Sequence, residues 1–169
     1  GIQTSDNRIY VHYATNEDDN YFYFNLDDEE WKVEKELTRP YFQTSRGIDN
    51  LNTYRILNPN SFVIYPYKNE NGRINFVNIE TLHSEYPETF RFYENYSEEL
   101  KKRDIKPEPE TIEEWYRFGR HQSLDKCDVP AKIVVGVLSQ GDKYAIDLSH
   151  TFISSGGTAG YCMITLPEN

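Results

Sequence analysis

Apolar positions recur in two periods along this chain, and each change of period marks a new element. Tyr and Phe alternate through 21–26, and apolar residues recur through 9–13, which predicts two strands. Residues 27–37 carry acids at their start, where a helix N-terminus favours negative charge, and predict a short helix. Residues 39–57 mix Pro, Gly, Asn and Ser without a clean period and predict a long loop with short elements. Alternation returns at 61–67 and 73–77 on either side of the "NENG" turn at 69–72, the pattern of a hairpin. Helical spacing takes over at Phe90, Tyr93, Ser97 and Leu100. With Pro87 suited to a first helical turn, it predicts a long helix over 88–103, broken by "KPEP" at 106–109. Thr111 followed by Glu114 has capping-box spacing and predicts a short helix carrying Trp115 and Tyr116. β-rich runs at 131–138, 143–148 and 161–166 predict three more strands around the turn "SQGD" and the loop "SSGGTAG". Strands and helices are interspersed without βαβ regularity, so the expected fold class is α+β with mixed or antiparallel sheets.

A chain of 169 residues, 37% hydrophobic and 15% aromatic, holds enough material for one core. Its fourteen Tyr and nine Phe supply that core and leave rings for a surface. Cys127 and Cys162 make no disulfide framework, and with four scattered His they offer no zinc-ligand spacing. No metal is expected, and a reducing compartment, the cytoplasm, fits best. No apolar run approaches the roughly 20 residues of a membrane span, and no signal peptide is visible. The chain opens on Gly1, and its only Met is Met163. It therefore reads as a piece of a longer protein, with catalytic machinery outside this sequence.

The formal net charge of −10 is unevenly spread. Residues 1–36 hold ten acids against three bases, whereas 37–76 hold five bases against two acids. Residues 77–100 return to acid, and 101–122 are weakly basic. An anionic partner would meet 37–76 and 101–122, and the acidic first segment would serve as a spacer or a face turned away. Asp19, Glu30 and Lys32 have the spacing of a metal-dependent nuclease core. Such a core needs its acids on paired strands, and Glu30 falls in the expected helix. "SSGGTAG" resembles a phosphate cradle but lacks the following Lys and helix. "NPN" at 58–60 reads as a turn, and His83 as a packed or capping side chain.

"WYRFGRHQSL", residues 115–124, stands apart. Trp115 and Phe118 lie three apart and can share a buried face. Gly119 can end the helix in a left-handed turn, leaving Arg120, His121 and Gln122 in a tight exposed turn. Arg offers a planar fork for guanine edges or phosphates, and Gln a bidentate match to adenine. The same side chains equally suit pinning neighbouring loops to backbone.

The blocks "IYPY", "YPETFRFYENYSEELKKR", "WYRFGRHQSL", "PAKIVVGVL" and "FISSGGTAGYCMITL" run in order from about 37 to 166. Together they resemble the TaqI-like C-terminal specificity domain of adenine-specific methyltransferases of restriction–modification systems, including fused methylase–nuclease enzymes. The resemblance implies an α+β domain that grips double-stranded DNA and reads the target sequence. It also implies a catalytic domain elsewhere in the same polypeptide that binds S-adenosylmethionine and methylates adenine. On that reading, Arg120, Gln122, Arg46 and His121 are the candidates for base contacts. Arg55, Lys68, Arg73, Arg117 and Lys132 are the candidates for phosphate contacts, and no catalytic residue is expected in this chain. Residues 37–169 form the recognition domain, with 1–36 part of the same unit. An aromatic-rich carbohydrate-binding module is the alternative from another functional class.

Overall fold

The computed structural model describes residues 2–43, 55–59, 61–121, 123–136, 144–153 and 161–165, with the backbone alone at 55. The fold is α+β, as the interspersed pattern implied. Among the described residues, four small sheets and several short helices surround an aromatic core. The central sheet orders Val11–His12, Ser61–Ile64, Thr38–Phe42 and Phe152–Ile153 side by side. A second four-stranded sheet orders Tyr161–Thr165, Lys132–Gly136, Tyr144–Asp147 and Arg55–Ile56. Most pairings are antiparallel. Phe152–Ile153 lies parallel to Tyr41 and Phe42, and Ile56 parallel to Ile146. The strands Thr38–Phe42, all but its first residue, and Arg55–Ile56 are short elements within the stretch 39–57 expected to be a long loop with short elements.

Several expected elements are replaced, each for a local reason. Residues 27–37 are helical only in the single 3-10 turn Lys35–Leu37. Asp27 and Asp28 both adopt positive φ and turn the chain, and Glu29–Glu34 returns as a strand against Tyr21–Leu26. "EEWKVE" alternates, putting Trp31 and Val33 inside and Glu30 and Lys32 outside. The density of acid hid that period. At 9–13 the Asp6 carboxylate caps a single helical turn, Asn7–Tyr10, and only Val11–His12 is strand. The expected strand 61–67 splits at Pro66, which has no N–H to give to a ladder. Ser61–Ile64 joins the central sheet, and Tyr67–Glu70 pairs with Arg73–Phe76 in a separate hairpin, closed by Asn71 and Gly72 at positive φ.

The helix expected over 88–103 is two shorter ones, Pro87–Asn95 and Ser97–Leu100, and a further helix, Ile79–Glu85, precedes them. Pro87 does open the first of the two. Its N-terminus is capped from another element. The buried Glu34 carboxylate accepts the N–H of Glu88 at 3.0 Å, the N–H of Thr89 at 2.9 Å and the Thr89 hydroxyl at 2.6 Å. The short Trp-bearing helix is a 3-10 helix, Ile112–Tyr116, in which the Thr111 side chain makes no capping bond. Glu114 pairs instead with Arg117.

The core is built from rings. Tyr10, Tyr65, Tyr93, Tyr116, Phe92 and Phe118 are fully buried and pack at 5–6 Å, edge-on or tilted except for Tyr93 stacked on Tyr116, arrangements their quadrupoles favour. The hydroxyls of Tyr10 and Tyr116 donate to the carbonyls of Tyr116 and Val77 at 2.7 and 2.6 Å. Burial pushes both phenols well above their ordinary pKa, so they remain donors. The tyrosines thus serve as apolar bodies in the core; the tips of Tyr10 and Tyr116 are satisfied, whereas the hydroxyls of Tyr65 and Tyr93 are buried without a partner among the described residues.

Candidate nucleic-acid interface

Residues 115–121 are held in place by their backbone. The Arg103 guanidinium, lying over the Tyr10 ring, donates to the carbonyls of Thr4, Trp115 and Arg117 at 2.6, 2.8 and 2.9 Å. The Phe118 N–H donates to the Tyr67 hydroxyl at 2.9 Å, tying the segment to the Tyr67–Phe76 hairpin. Gly119 does not end a helix in a left-handed turn. It is needed because the chain passes against Ser5: a Cβ there would lie 1.8 Å from the Ser5 Oγ. The N–H groups of Gly119 and Arg120 then donate to Thr4 and Gln3, both at 3.0 Å.

This bracing opens one cleft of about 390 Å³ between the hairpin and residues 117–125. Tyr67, Ile74 and Phe76 form an apolar wall, faced by Arg117, His121, Leu124 and Asp125, with Arg73 and Gly72 on the hairpin side. Three of the residues singled out from the sequence, Arg73, Arg117 and His121, therefore meet in one place. Arg73 is exposed and makes no ion pair with a described residue. Arg117 is nearly buried. Its guanidinium holds Glu114 at 2.7 Å and the Pro107 carbonyl, while its Nε–H is buried without a partner. The Nδ1 of His121 is likewise buried and unpartnered. Burial, and then the charge of Arg117, hold this imidazole below its ordinary pKa, so it is neutral at pH 7. A neutral ring there offers a hydrogen-bonding edge without adding charge.

The other candidates lie elsewhere. Arg120 is a brace: its guanidinium holds the Asp104 carboxylate at 2.8 Å and the carbonyls of Asp104 and Gly119 at 2.9 and 2.8 Å. That pair holds the Asp104 carboxyl below its usual range. Of the two roles the sequence allowed Arg120, the structure displays the pinning one. Lys132 was expected to meet phosphate, yet its side chain is fully buried, 2.6 Å from the equally buried Asp147 and 3.0 Å from the Cys127 carbonyl. Alternation in "AKIVVGVL" points it inward, so no phosphate reaches it. Lys68 is shared between Glu36 and Glu85 at 3.5 Å each, and its hydrogen bond to Tyr86 is the main cause of its raised pKa. Arg46, Gln122 and the side chain of Arg55 lie outside the described residues.

Arg103 and Tyr67, which set the cleft's shape, were missed. Arg103 is the last residue of the helix expected over 88–103, and its partners, Thr4, Trp115 and Arg117, all lie outside that element. The aromatic residues, which suggested a carbohydrate surface, are mostly spent inside. Among the described ones only Tyr13 is clearly exposed. Glu30 and Lys32 do lie on a paired strand, contrary to expectation. Lys32, however, faces Glu88 at 3.5 Å, and no three described His, Cys, Asp or Glu residues are placed to hold a metal ion. No described helix is long and apolar enough to cross a membrane.

No protein-family profile matches the chain. Over 172 aligned residues it is 50% identical to part of an Escherichia coli protein, the type II restriction enzyme and methyltransferase RM.Eco57I. It is related along its full length to one segment of a restriction–modification enzyme. The match covers all of this chain and 17% of RM.Eco57I, so the chain spans about a sixth of that relative's length.

Proposed function

We propose that this chain is the DNA sequence-recognition domain of a type II restriction–modification adenine methyltransferase, and that the cleft beneath Arg73 touches the bases of its target. The observation that carries this reading is the 50% identity, over the full chain, to a segment of RM.Eco57I, whose name joins a restriction enzyme to a methyltransferase. The parent polypeptide would be cytoplasmic and would bind S-adenosylmethionine in another domain.

The cleft has suitable chemistry for reading an edge. Arg73 supplies a planar fork at the mouth with no ion pair to a described residue, and Arg117 and His121, whose Nε–H and Nδ1 are buried without a described partner, line the cleft behind it. The Asp125 carboxylate can accept from an exocyclic amino group. Arg117 and His121 stand on the braced segment 115–121, and a hydrogen-bonding group discriminates only when it is held still. Gln122 and Arg46 stay within the proposal as base contacts, and Arg55 as a phosphate contact, on the sequence argument alone.

The test is a methylation-site profile of the natural enzyme on genomic DNA. Arg73→Ala and His121→Ala should each broaden the target or lower methylation at it by roughly 10- to 100-fold, the range set by losing one base contact. S-adenosylmethionine binding should be unchanged. An unaltered profile and rate in both variants would contradict the proposal.

A further inference from the structure

The second four-stranded sheet has two unlike faces. Its inner face is closed by Val134 and Ala145 on Phe42, Leu57 and Ile153, with the Lys132–Asp147 pair at its margin. On the outer face four isoleucines stand in one row across all four strands. Ile164 is opposite Ile133, Ile133 opposite Ile146, and Ile146 opposite Ile56. They are 55%, 40%, 43% and 64% exposed in the order Ile164, Ile133, Ile146, Ile56, and Leu148, two residues beyond Ile146, is 54% exposed. With strands about 4.8 Å apart the row runs roughly 14 Å. Val135, Tyr144 and Cys162, paired across the same three strands, extend it on the same side.

None of these outward residues is charged, in a chain that is 27% charged. The contrast within the molecule is direct: the outward positions of the Tyr21–Glu34 hairpin include Glu30 and Lys32. Scattered exposed isoleucines need no explanation, but a contiguous, charge-free apolar sheet face marks an interaction surface. A ladder of branched aliphatic side chains offers nothing to phosphates and carries no donor for base edges, so it does not belong to the DNA-reading side.

We infer that this isoleucine face docks against another folded domain of the same longer polypeptide. The inference rests on the proposed function only in taking the chain as one domain of a larger enzyme. What favours that occupant is chain length: RM.Eco57I extends far beyond the segment that matches here, which is 17% of it. A tethered apolar face is present at an effective concentration near millimolar, which a second copy does not match at ordinary protein concentrations. The docked sheet would hold the cleft, on its separate hairpin, at a set position relative to the rest of the enzyme.

The test uses the natural full-length polypeptide, without DNA or cofactor. A photo-cross-linking residue is placed at Ile146, and the attached peptides are mapped by mass spectrometry at nanomolar protein. Cross-links within one molecule, to peptides outside this chain and insensitive to dilution, are the expected result. Cross-links to a second copy, or none beyond this chain, would overturn the inference. Cys162 gives a second readout in the unmodified protein. Its thiol should alkylate at least tenfold more slowly in the native full-length protein than after unfolding in urea, and Ile133→Glu with Ile164→Glu should abolish that protection. Equal rates in native and unfolded protein would count against docking. Because neither measurement involves DNA, a cleft that proves not to read sequence leaves both results standing on their own.

Discussion

His12 is the clearest single-residue liability in this protein. It is buried, stacked on Phe24 at 4.0 Å, and its Nε2 hydrogen-bonds to the Ile9 carbonyl at 2.8 Å. Burial lowers its pKa to about 4. The unfolded chain takes up that proton near 6.5 and the folded one only near 4, so stability is complete above pH 6.5 and falls as the pH drops. The loss approaches about 3 kcal/mol by the lower limit. Urea unfolding from pH 7 to 5 should show this slope, and His12→Gln should flatten it while lowering stability at pH 7. Parallel slopes would refute the assignment. Gly119 gives a second residue-scale prediction. Gly119→Ala forces a methyl against Ser5 and should cost about 1–3 kcal/mol, with most of it recovered in Ser5→Gly/Gly119→Ala because Ser5 sits at φ 64°. Failure of the second substitution to help would mean that the clash lies elsewhere. The sequence pointed to Gly119 for conformational freedom. Its actual reason, close approach to a residue more than a hundred positions away, has no local signature.

At the scale of elements, the helix Pro87–Asn95 and the segment 115–121 depend on partners outside themselves. Glu34→Gln should weaken the helix N-terminus and lower stability by about 1–2 kcal/mol, read from the thermal midpoint against the exposed Glu30→Gln as control. Arg103→Met keeps an apolar stem but removes the guanidinium from over Tyr10 together with its donors to Thr4, Trp115 and Arg117. It should cost about 3 kcal/mol, and Lys at 103 should recover only part of it. An exposed, freely tolerated Arg103 would contradict the bracing account. Elements with strong periodicity were legible in advance: the strands within 21–26, 131–138, 143–148 and 161–166, the Asn-Gly hairpin turn and the Pro87 helix start. Those whose period was short or masked by charge were not. Residues 29–34 alternate over only six positions, and a helix expected over 88–103 breaks at Tyr96 because ring packing there overrides spacing.

Taken whole, the molecule separates its surfaces by chemistry. Acid is concentrated in the first 36 residues, one apolar ladder covers the outer face of the second sheet, and the unpaired Arg73 stands over the aromatic-walled cleft. The cleft was half legible. The run 115–124 announced itself by composition, and Arg117 and His121 in it do line the cleft. Lys132, expected at a phosphate, is buried instead, and Arg120 takes the pinning one of its two allowed roles, because charge in a sequence carries no sign of whether a carboxylate will be folded against it. Asp147 and Asp104 are those carboxylates.

The central claim, that the cleft between the Tyr67–Phe76 hairpin and residues 117–125 contacts the target bases, is tested most directly by cross-linking to DNA. The natural enzyme is irradiated on a duplex carrying iodouracil at successive positions of its target, and the attached peptides are identified by mass spectrometry. The account predicts attachment within 67–76 and 117–125, lost in His121→Ala. Attachment confined to the isoleucine sheet, to the acidic first 36 residues, or to peptides outside this chain would contradict it.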